Sequence, residues 1–424
     1  MSVDQEAKKT AKDARPDRNL ISRILGIVLI LFVSAIPFSI FAAQSALILA
    51  IVLTLIKNKG RIPRGPDRLL PMTCPAIAYA VITLLSALTS RDVLESLADS
   101  KEIFLFLIIP VVYLHFKESP KIEKLLLIST ATASVAAIWG IVQLVLTGSG
   151  LEHRVSGPLS HYMTYAGILM FVTVFITGRL LFCRTPATLF WLVCGLLCLT
   201  ALLCTYSRNA WLGLVAGLVI LIGFKRARYL IVLPLFIIVM VLLSPPSIKS
   251  RFSSILDPND PSNRDRIHMG QIGLYMIGDY PILGVGPAQV HTLYPEYRRK
   301  YTPHALERDN PHLHNNFIQI GAERGILGLL AWLAFIVSFL YDRLKGLKNS
   351  SKFERAYRIN GIACVSALLV AGLFEYNFGD SEVKMMLLTF MTLSYLPGPD
   401  RPFPGEASQS RDDETRGLNH ENHY

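Results

Sequence analysis

The residues best suited to chemistry lie in the stretch PHLHNNFIQIGAERGILG, residues 311–328. His314 precedes Gly321, Gly325 and Gly328 by seven, eleven and fourteen residues, and on a helix of about 3.6 residues per turn these offsets return to nearly the same face. The spacing predicts a helix face with an imidazole at its outer end and small residues beneath it, where another backbone or a lipid chain can approach. A neutral imidazole can accept a proton near neutral pH. The alternative is a packing seam with an interfacial histidine at its tip.

Three arginines are candidates for binding an anion. Arg208, in CTYSRNAWLGL, joins two apolar segments, and Arg264 and Arg266, in SNRDRIHMG, precede the turn-rich stretch GDYPILGVGP. An arginine fork can donate two parallel hydrogen bonds to phosphate oxygens, a geometry that suits a pyrophosphate. The alternatives are an interfacial anchor for Arg208 and plain solvation for the two loop arginines.

Two further charges, Glu323 and Arg324, are adjacent in the same stretch as His314. On a helix, neighbouring residues diverge by about 100°, so we expect each of them to pair with another helix.

No metal site is expected. The acidic stretch DPNDPSNRD, residues 257–265, has the proline and asparagine content of a plain turn. The cysteines fall in or beside apolar segments and lack the spaced pairs of a zinc site or a disulfide framework. They are expected to be buried thiols; the six are Cys74, Cys183, Cys194, Cys198, Cys204 and Cys364.

The elements that must position these residues are membrane helices. Of the 424 residues, 52% are hydrophobic and only 17% are charged, and apolar runs near the length of about 20 residues that crosses a bilayer recur along the chain. We predict an all-α integral membrane protein with about twelve transmembrane helices. The apolar segments lie near residues 22–37, 40–56, 69–89, 102–116, 124–147, 161–178, 186–205, 209–224, 229–245, 322–341, 359–377 and 383–397.

Charge in the connections predicts the orientation. With a cytoplasmic N-terminus, the inside connections are rich in Lys and Arg at residues 57–68, 117–124, 179–184, 225–228 and 343–358, while the outside connections are poor in them. The net charge of +11 therefore sets topology and does not indicate nucleic-acid binding.

This topology divides the chain into five parts. We predict a cytoplasmic tail at residues 1–21, helices one to nine at 22–245, a large outside loop at 246–313, helices ten to twelve at 314–397, and a disordered cytoplasmic tail at 398–424. A loop as long as 246–313 in a compact protein is usually functional.

These pieces resemble the O-antigen ligase superfamily. His-Asn at 314–315, then nine residues and Gly-x-x-Gly ending at Gly328, is similar to that family's signature at the end of a large periplasmic loop. SRNAWLGL around Arg208 resembles its Ser-Arg element at the head of a membrane helix. The stretch from Arg266 to Gly286 resembles its arginine segment ending in Pro-x-x-Gly-x-Gly, and GPLSHYMTYAG near His161 is a further match. The family often has a tryptophan after the second arginine where Gly270 stands here, and Arg264 competes with Arg266 for that role.

The resemblance implies a C-type glycosyltransferase-like fold in the inner membrane, with the active site facing the periplasm. It implies transfer of a glycan from undecaprenyl pyrophosphate to lipid A–core in lipopolysaccharide biosynthesis. The transfer would invert the anomeric configuration and need no metal or other cofactor, and the protein would be surrounded by membrane lipids. His314 would be the base, and Arg208 with Arg266 or Arg264 would hold the pyrophosphate. The same superfamily includes O-antigen polymerases and, as a third choice, protein O-oligosaccharyltransferases. A lipid-linked glycan transporter, in which the arginines bind phosphate without chemistry, is the alternative from a different class.

Overall fold

The computed structural model describes residues 20–58, 70–117, 122–148, 154–183, 187–243, 246–255, 257–303 and 312–396. Most of both predicted tails and part of the predicted outside loop, at residues 304–311, lie outside this range. The same holds for several basic residues on which the topology depends, namely Lys59, Arg61, Arg64, Arg68, Lys121 and Arg184.

Throughout the described ranges the regular structure is helical, with no β-strand. The α-helices are α1 (Leu20–Ala35), α2 (Ile40–Lys57), α3 (Thr73–Leu88), α4 (Val93–Asp99), α5 (Ile108–Phe116), α6 (Ile122–Thr147), α7 (Tyr162–Phe182), α8 (Thr188–Cys204), α9 (Arg208–Arg226), α10 (Val232–Leu243), α11 (Pro246–Ser253), α12 (Pro261–Asp279), α13 (Gln289–Tyr301), α14 (Asn316–Lys345), α15 (Lys352–Ala371) and α16 (Ser381–Leu393). Two 3₁₀ segments, Ser100–Leu107 and Ala227–Ile231, lie before α5 and before α10.

Each of the twelve predicted apolar segments coincides with helical structure. Five helical stretches of the described chain are long and apolar enough to cross a bilayer: Ile40–Lys57, Ile122–Thr147, Tyr162–Phe182, Arg208–Ile231 and Asn316–Lys345. These confirm an all-α membrane protein, while the number of twelve crossings stays a prediction. The end of the eleventh predicted segment, residue 377, is wrong by six residues. Its helix, α15, ends at Ala371, and residues 372–380 form a loop.

The helices of the bundle have their ends on two opposite sides, and polar contacts connect helix ends on the same side. At the basic end, Arg179 of α7 donates hydrogen bonds of 2.8 Å to both oxygens of Glu123 at the start of α6, and one of 3.0 Å to Tyr357 of α15. At the opposite end, Thr164 at the start of α7 donates to Asp380, just before α16. We call this second end, where α3 ends and α7, α9, α14 and α16 begin, the site end.

Helices α11, α12 and α13 occupy the predicted outside loop, and α12 and α13 build a second, smaller core at the site end. Their apolar residues, among them Met269, Ile272, Met276, Val290 and Leu293, pack there with Ala322 near the start of α14. The long polar connection is therefore a folded cap on the helix bundle.

Helix α14 is broken at Gly325, whose φ of 65° and ψ of −172° are not helical. The amide groups freed by the break are satisfied by the stretch after α12: Ile326 N–H donates to Pro281 at 2.8 Å, and Leu327 N–H donates to Ile282 at 3.5 Å. In return, Val285 N–H donates to Ala322 at 2.8 Å. Residues 281–286 and the break therefore form one hydrogen-bonded unit.

Glycine is required on both sides of this unit. Gly284 has a φ of 73°, and a Cβ there would lie 2.3 Å from the backbone carbon of Glu323. A Cβ on Gly325 would lie 2.2 Å from the carbonyl oxygen of Ile282. The two backbones approach so closely that neither position accommodates a side chain.

The predicted continuous helix face is therefore wrong. His314 precedes the helix, and the three glycines pack against different partners: Gly321 against Ile277, Gly325 against backbone, and Gly328 against the side chain of Arg324. Each of the three glycines does allow another group to approach closely, as expected. They do not share one helix face, because the helix is broken at Gly325.

Glu323 and Arg324 also differ from expectation, because they form an ion pair with each other. The helix ends directly after Arg324, and Gly328 leaves space beside its side chain, so the guanidinium can fold back. Ser86, near the end of α3, donates to the Glu323 carbonyl at 2.7 Å. This contact places residues 316–324 at the site end and leaves 326–345, long enough to cross a bilayer core of about 30 Å, as the spanning part of α14.

We predict that Gly284→Ala lowers the unfolding temperature of the detergent-purified protein. A left-handed backbone costs a non-glycine residue about 1–2 kcal/mol, and the clash with Glu323 adds to this cost. Gly278→Ala in α12 is the matched control, because a Cβ there meets no atom within 4 Å. The control is expected to be neutral or slightly stabilising. Equal unfolding temperatures for the two variants would contradict the role of Gly284.

Candidate functional site

His314 lies in the tight connection before α14, with a left-handed φ of 48°. Its neighbours on both sides are fixed. Leu313 N–H donates to the side-chain oxygen of Gln319 at 2.6 Å, and Asn315 caps α14 by accepting from the amides of Phe317 and Ile318. A strained histidine held this firmly is typical of a functional position.

The imidazole is paired with a buried carboxylate. Nδ1 of His314 lies 2.8 Å from Oε2 of Glu375, in the loop between α15 and α16. Burial alone would raise the pKa of Glu375, but the hydrogen bond and charge of His314, with the charges of Arg266 and His312, hold that pKa below its usual value. Glu375 is therefore an anion at neutral pH, and it accepts a hydrogen from Nδ1. When the imidazole is neutral, its Nδ1–H donates to Glu375 and the lone pair of Nε2 is available to accept a proton.

Asparagines fasten the Glu375 loop to the start of α14. Asn316 N–H donates to the Gly372 carbonyl at 2.7 Å, and the Asn316 side chain donates to Asn377 at 2.7 Å. Asn315 donates from its side chain to the Leu373 carbonyl at 3.0 Å. The two asparagines after His314 therefore hold both members of the histidine–carboxylate pair in register.

Arg266 lies on the side of α12 that faces this pair. Its Nε donates to the Phe374 carbonyl at 3.0 Å and its Nη1 to Ser262 at 3.0 Å. These bonds use two of the five N–H donors of the guanidinium. Among the described residues the other three have no hydrogen-bond acceptor, so they can bind a ligand. Arg264, two residues earlier, is exposed on the other side of the helix. The geometry favours Arg266 over Arg264 as a ligand-binding residue.

Arg208 is buried and already has protein partners. Its Nη1 donates to the carbonyl and hydroxyl oxygens of Ser254, and its Nη2 donates to Asp260 at 3.0 Å and Asn263 at 2.9 Å. Asp260 is the N-cap of α12, where its side chain also accepts from the Asn263 amide. Arg208 therefore fastens the beginning of α12, the helix that carries Arg266, to the head of α9.

Two more arginines extend the positive charge of the site. The Arg251 guanidinium lies 3.9 Å from Asp260, and burial with the charges of Arg208 and Arg154 lowers the pKa of Arg251 to about 10. Arg154 stacks over the ring of Tyr162 at 4.6 Å. Four arginines thus share this end of the bundle with two carboxylates, Asp260 and Glu375, so the cluster carries excess positive charge.

His161 belongs to the same cluster. It is the N-cap of α7, and burial lowers its pKa while the negative charge of Glu375 acts in the opposite direction. The charges of His314 and Arg154 also lower the pKa of His161. Within the described residues, no group of three or more His, Cys, Asp or Glu side chains is arranged to hold a metal ion.

Residues 193–333 match the family model described as O-antigen ligase. The match covers about a third of the chain and supports its membership of the O-antigen ligase family. Members of this family are glycosyltransferase-like enzymes, ligases or polymerases, and the family implies a lipid-linked glycan and a lipid acceptor in general. With its apolar helices, the chain is a multi-pass membrane protein. No curated protein matches the chain.

The segment that carries the O-antigen ligase match includes Arg208, Arg266 and His314, which sequence spacing had singled out. It does not include Arg154 or Glu375, and sequence reasoning missed the role of both. A signal for Glu375 was present: the short connection GLFEYNFGDSE places three carboxylates between two apolar segments. It was hidden because Glu375 fell inside the predicted eleventh helix.

Asp380 gives the protein a testable pH dependence. Burial and the charge of Glu375 raise the pKa of Asp380 to about 8. The folded protein therefore binds this proton more tightly than the unfolded chain, in which aspartate titrates near a pH of about 3.9. Stability attributable to Asp380 falls as pH rises between these two values and levels off above the higher one.

We predict that Asp380→Asn is more stable than the wild type at pH 8. The difference in unfolding temperature should increase from acid pH up to about pH 8 and stay constant at higher pH. Asparagine keeps a side-chain oxygen for the Thr164 hydrogen bond, so the loss of the charge is the main change. Unfolding temperatures in detergent between pH 5 and pH 9 check the margin. Asp257→Asn, at an exposed position, is the control and should give a margin independent of pH. The same flat profile for Asp380→Asn would contradict the prediction.

Proposed function

We propose that the protein transfers O-antigen glycan from undecaprenyl pyrophosphate to lipid A–core in the inner membrane, with its active site facing the periplasm. The observation that carries the proposal is the His314–Glu375 pair at the same end of the bundle as the arginine cluster. A base beside a site for a charged leaving group is what glycosyl transfer from a pyrophosphate requires. The family match supports this reaction class.

In the proposed reaction, a hydroxyl oxygen of the acceptor attacks the anomeric carbon of the donor sugar. The bond from that carbon to the pyrophosphate oxygen breaks, and undecaprenyl pyrophosphate leaves with the bonding electron pair. Nε2 of His314 takes the hydroxyl proton, and Glu375 stabilises the imidazolium that results. Attack from the side opposite the leaving group inverts the anomeric configuration. The reaction as proposed uses neither metal nor other cofactor, so a chelator such as EDTA should not reduce transfer.

The arginines would bind the pyrophosphate with different tasks. Arg266 has N–H donors left for phosphate oxygens, and Arg154 and Arg251 add positive charge beside it. Arg208 would act through its charge and by holding the beginning of α12, because four of its donors already bond Ser254, Asp260 and Asn263. An excess of cations over carboxylates stabilises a leaving group whose negative charge increases in the transition state.

An O-antigen polymerase of the same superfamily would use the same groups on a different acceptor. The family match alone does not separate ligase from polymerase. The transporter alternative gains no support from that match, and a tightly positioned base would have no task in a transporter.

We predict that deletion of the protein causes undecaprenyl-pyrophosphate-linked polymer to accumulate and lipid A–core to lose its O-antigen. Wild-type protein should restore transfer, and His314→Ala at equal expression should not, because a general base is worth about 10²–10⁴-fold in rate. His291→Ala is the matched control, since its exposed ring on α13 contacts Glu95 of α4 and the neighbouring Thr292. Accumulation of single repeat units would indicate the polymerase, and restoration by His314→Ala would exclude His314 as the base.

The arginines are tested by donor binding. Arg266→Lys keeps the charge but loses the paired donors, so it should weaken binding of the lipid-linked donor to the purified protein, and Arg266→Ala should weaken it further. Arg208→Ala should weaken donor binding and also lower the unfolding temperature, because it frees the start of α12. Arg299→Ala, at an exposed position of α13, is the control. Wild-type affinity in Arg266→Ala would remove this residue from the pyrophosphate site.

A further inference from the structure

A polar cavity of about 280 Å³ lies at the site end, apart from the His314–Glu375 pair. Three elements form it: the turn after α3, the stretch that follows α12, and α13. Its wall is more polar than apolar and consists of Thr89, Ser90, Arg91, Tyr280, Gly284, Val285, Leu293, Glu296 and Tyr297. Two larger cavities of the described structure, by contrast, are lined almost entirely by apolar side chains of membrane helices.

The wall of this cavity offers a mixture of donors and acceptors. Ser90 donates its hydroxyl hydrogen to Ala87 at 2.7 Å, and Tyr297 donates its own to Asp279 at 2.6 Å, so both oxygens keep lone pairs as acceptors. Tyr280 adds a half-exposed aromatic ring with a phenol at its edge. A ligand with many hydroxyl groups, each both a donor and an acceptor, fits such a wall.

Charge in the cavity is balanced. Arg91 and Glu296 lie 3.8 Å apart at its rim and are both well exposed, and the other lining residues are neutral. An anion would be attracted by Arg91 but repelled by Glu296, and a cation would meet the reverse. The balance favours a neutral ligand.

A hydrogen bond from the cavity wall to α14 fixes the position of the cavity relative to His314, the proposed base. Val285, in the wall, donates to the Ala322 carbonyl of α14 at 2.8 Å, and six residues separate Ala322 from the helix start at Asn316. At a rise of about 1.5 Å per residue the cavity lies roughly 10 Å along α14 from the end that carries His314. This separation is too large for the reacting sugar but suits a unit further along the same glycan.

We propose that this cavity binds one neutral sugar unit of the glycan chain, away from the bond that reacts. The inference rests on the proposed function for the identity of the glycan, whereas the chemistry of the ligand follows from the cavity itself. Binding a second unit would hold the chain in register while its reducing end meets His314. It would also make transfer of a longer glycan more efficient than transfer of a single sugar.

The test uses O-polysaccharide oligomers released from the strain's own lipopolysaccharide by mild acid, which carry neither lipid nor pyrophosphate. Binding to the full-length protein in detergent is followed by saturation-transfer NMR. Wild type should bind the oligomers, and Tyr280→Ala should lose at least ten-fold in affinity. Tyr275→Ala is the matched control, a similarly exposed tyrosine in α12 that stacks on Tyr301 and does not line the cavity.

A parallel transfer assay with lipid-linked donor separates the two proposals. If the wild type transfers glycan but Tyr280→Ala binds oligomers as well as the wild type does, the cavity proposal is wrong and the proposed function stands. If oligomer binding is lost in Tyr280→Ala and retained in Tyr275→Ala, the sugar site is supported even where transfer is not detected. A wild type that binds no oligomer overturns the cavity proposal.

Discussion

The hydrogen bonds between residues 281–286 and the break in α14 connect the membrane part of the molecule to the cap at its site end. A helix interrupted where it enters the membrane must find other partners for its freed amides, and here a neighbouring backbone supplies them. Gly284 and Gly325 make this possible because any side chain would separate the two backbones. The break fixes the direction of residues 316–324, and these carry the connection that holds His314. The position of the imidazole is therefore a consequence of two glycines ten or more residues away.

Much of the architecture could be predicted because hydropathy and charge act locally. Each apolar segment coincides with a helix, and His314 and Arg266 do lie at the same end of the bundle. What failed depended on tertiary contacts. The unbroken glycine face failed because nothing in the local sequence distinguishes a glycine that packs from one with a φ of 65°. The role of Arg208 in binding pyrophosphate stays a prediction, but its protein partners could not be predicted, because Ser254, Asp260 and Asn263 are about fifty residues away in sequence.

Glu375 shows the limit of boundary prediction. A difference of six residues in the end of one helix decides whether this carboxylate is a membrane-buried charge or a loop residue facing a histidine. Apolar residues on both sides made the segment look continuous, and only the packing of Asn316 against Gly372 and Asn377 determines where the helix stops. Where an active site is assembled from short connections between membrane helices, the functional residues lie at the positions that hydropathy defines least well.

The arginine cluster creates charge repulsion in the folded protein, and two carboxylates with different partners reduce it. Arginines placed close together repel one another, and the charges of Arg208 and Arg154 add to burial in lowering the pKa of Arg251. Asp260 neutralises part of this charge and caps a helix at the same time, while Glu375 serves the histidine. The charge left over is what an anionic ligand would satisfy, so ligand binding would relieve a repulsion already present in the folded protein.

The partner of His314 also sets an order on biogenesis. Membrane proteins are made from the N-terminus onward, so His314 enters the bilayer region before the hairpin of α15 and α16 has been synthesised. Until that hairpin is inserted, the imidazole lacks Glu375, and Asn316 lacks Gly372 and Asn377. A chain that stalls before α15 would contain His314 and the four arginines but would lack Glu375. The His314–Glu375 pair would therefore form only when the connection between α15 and α16 is in place.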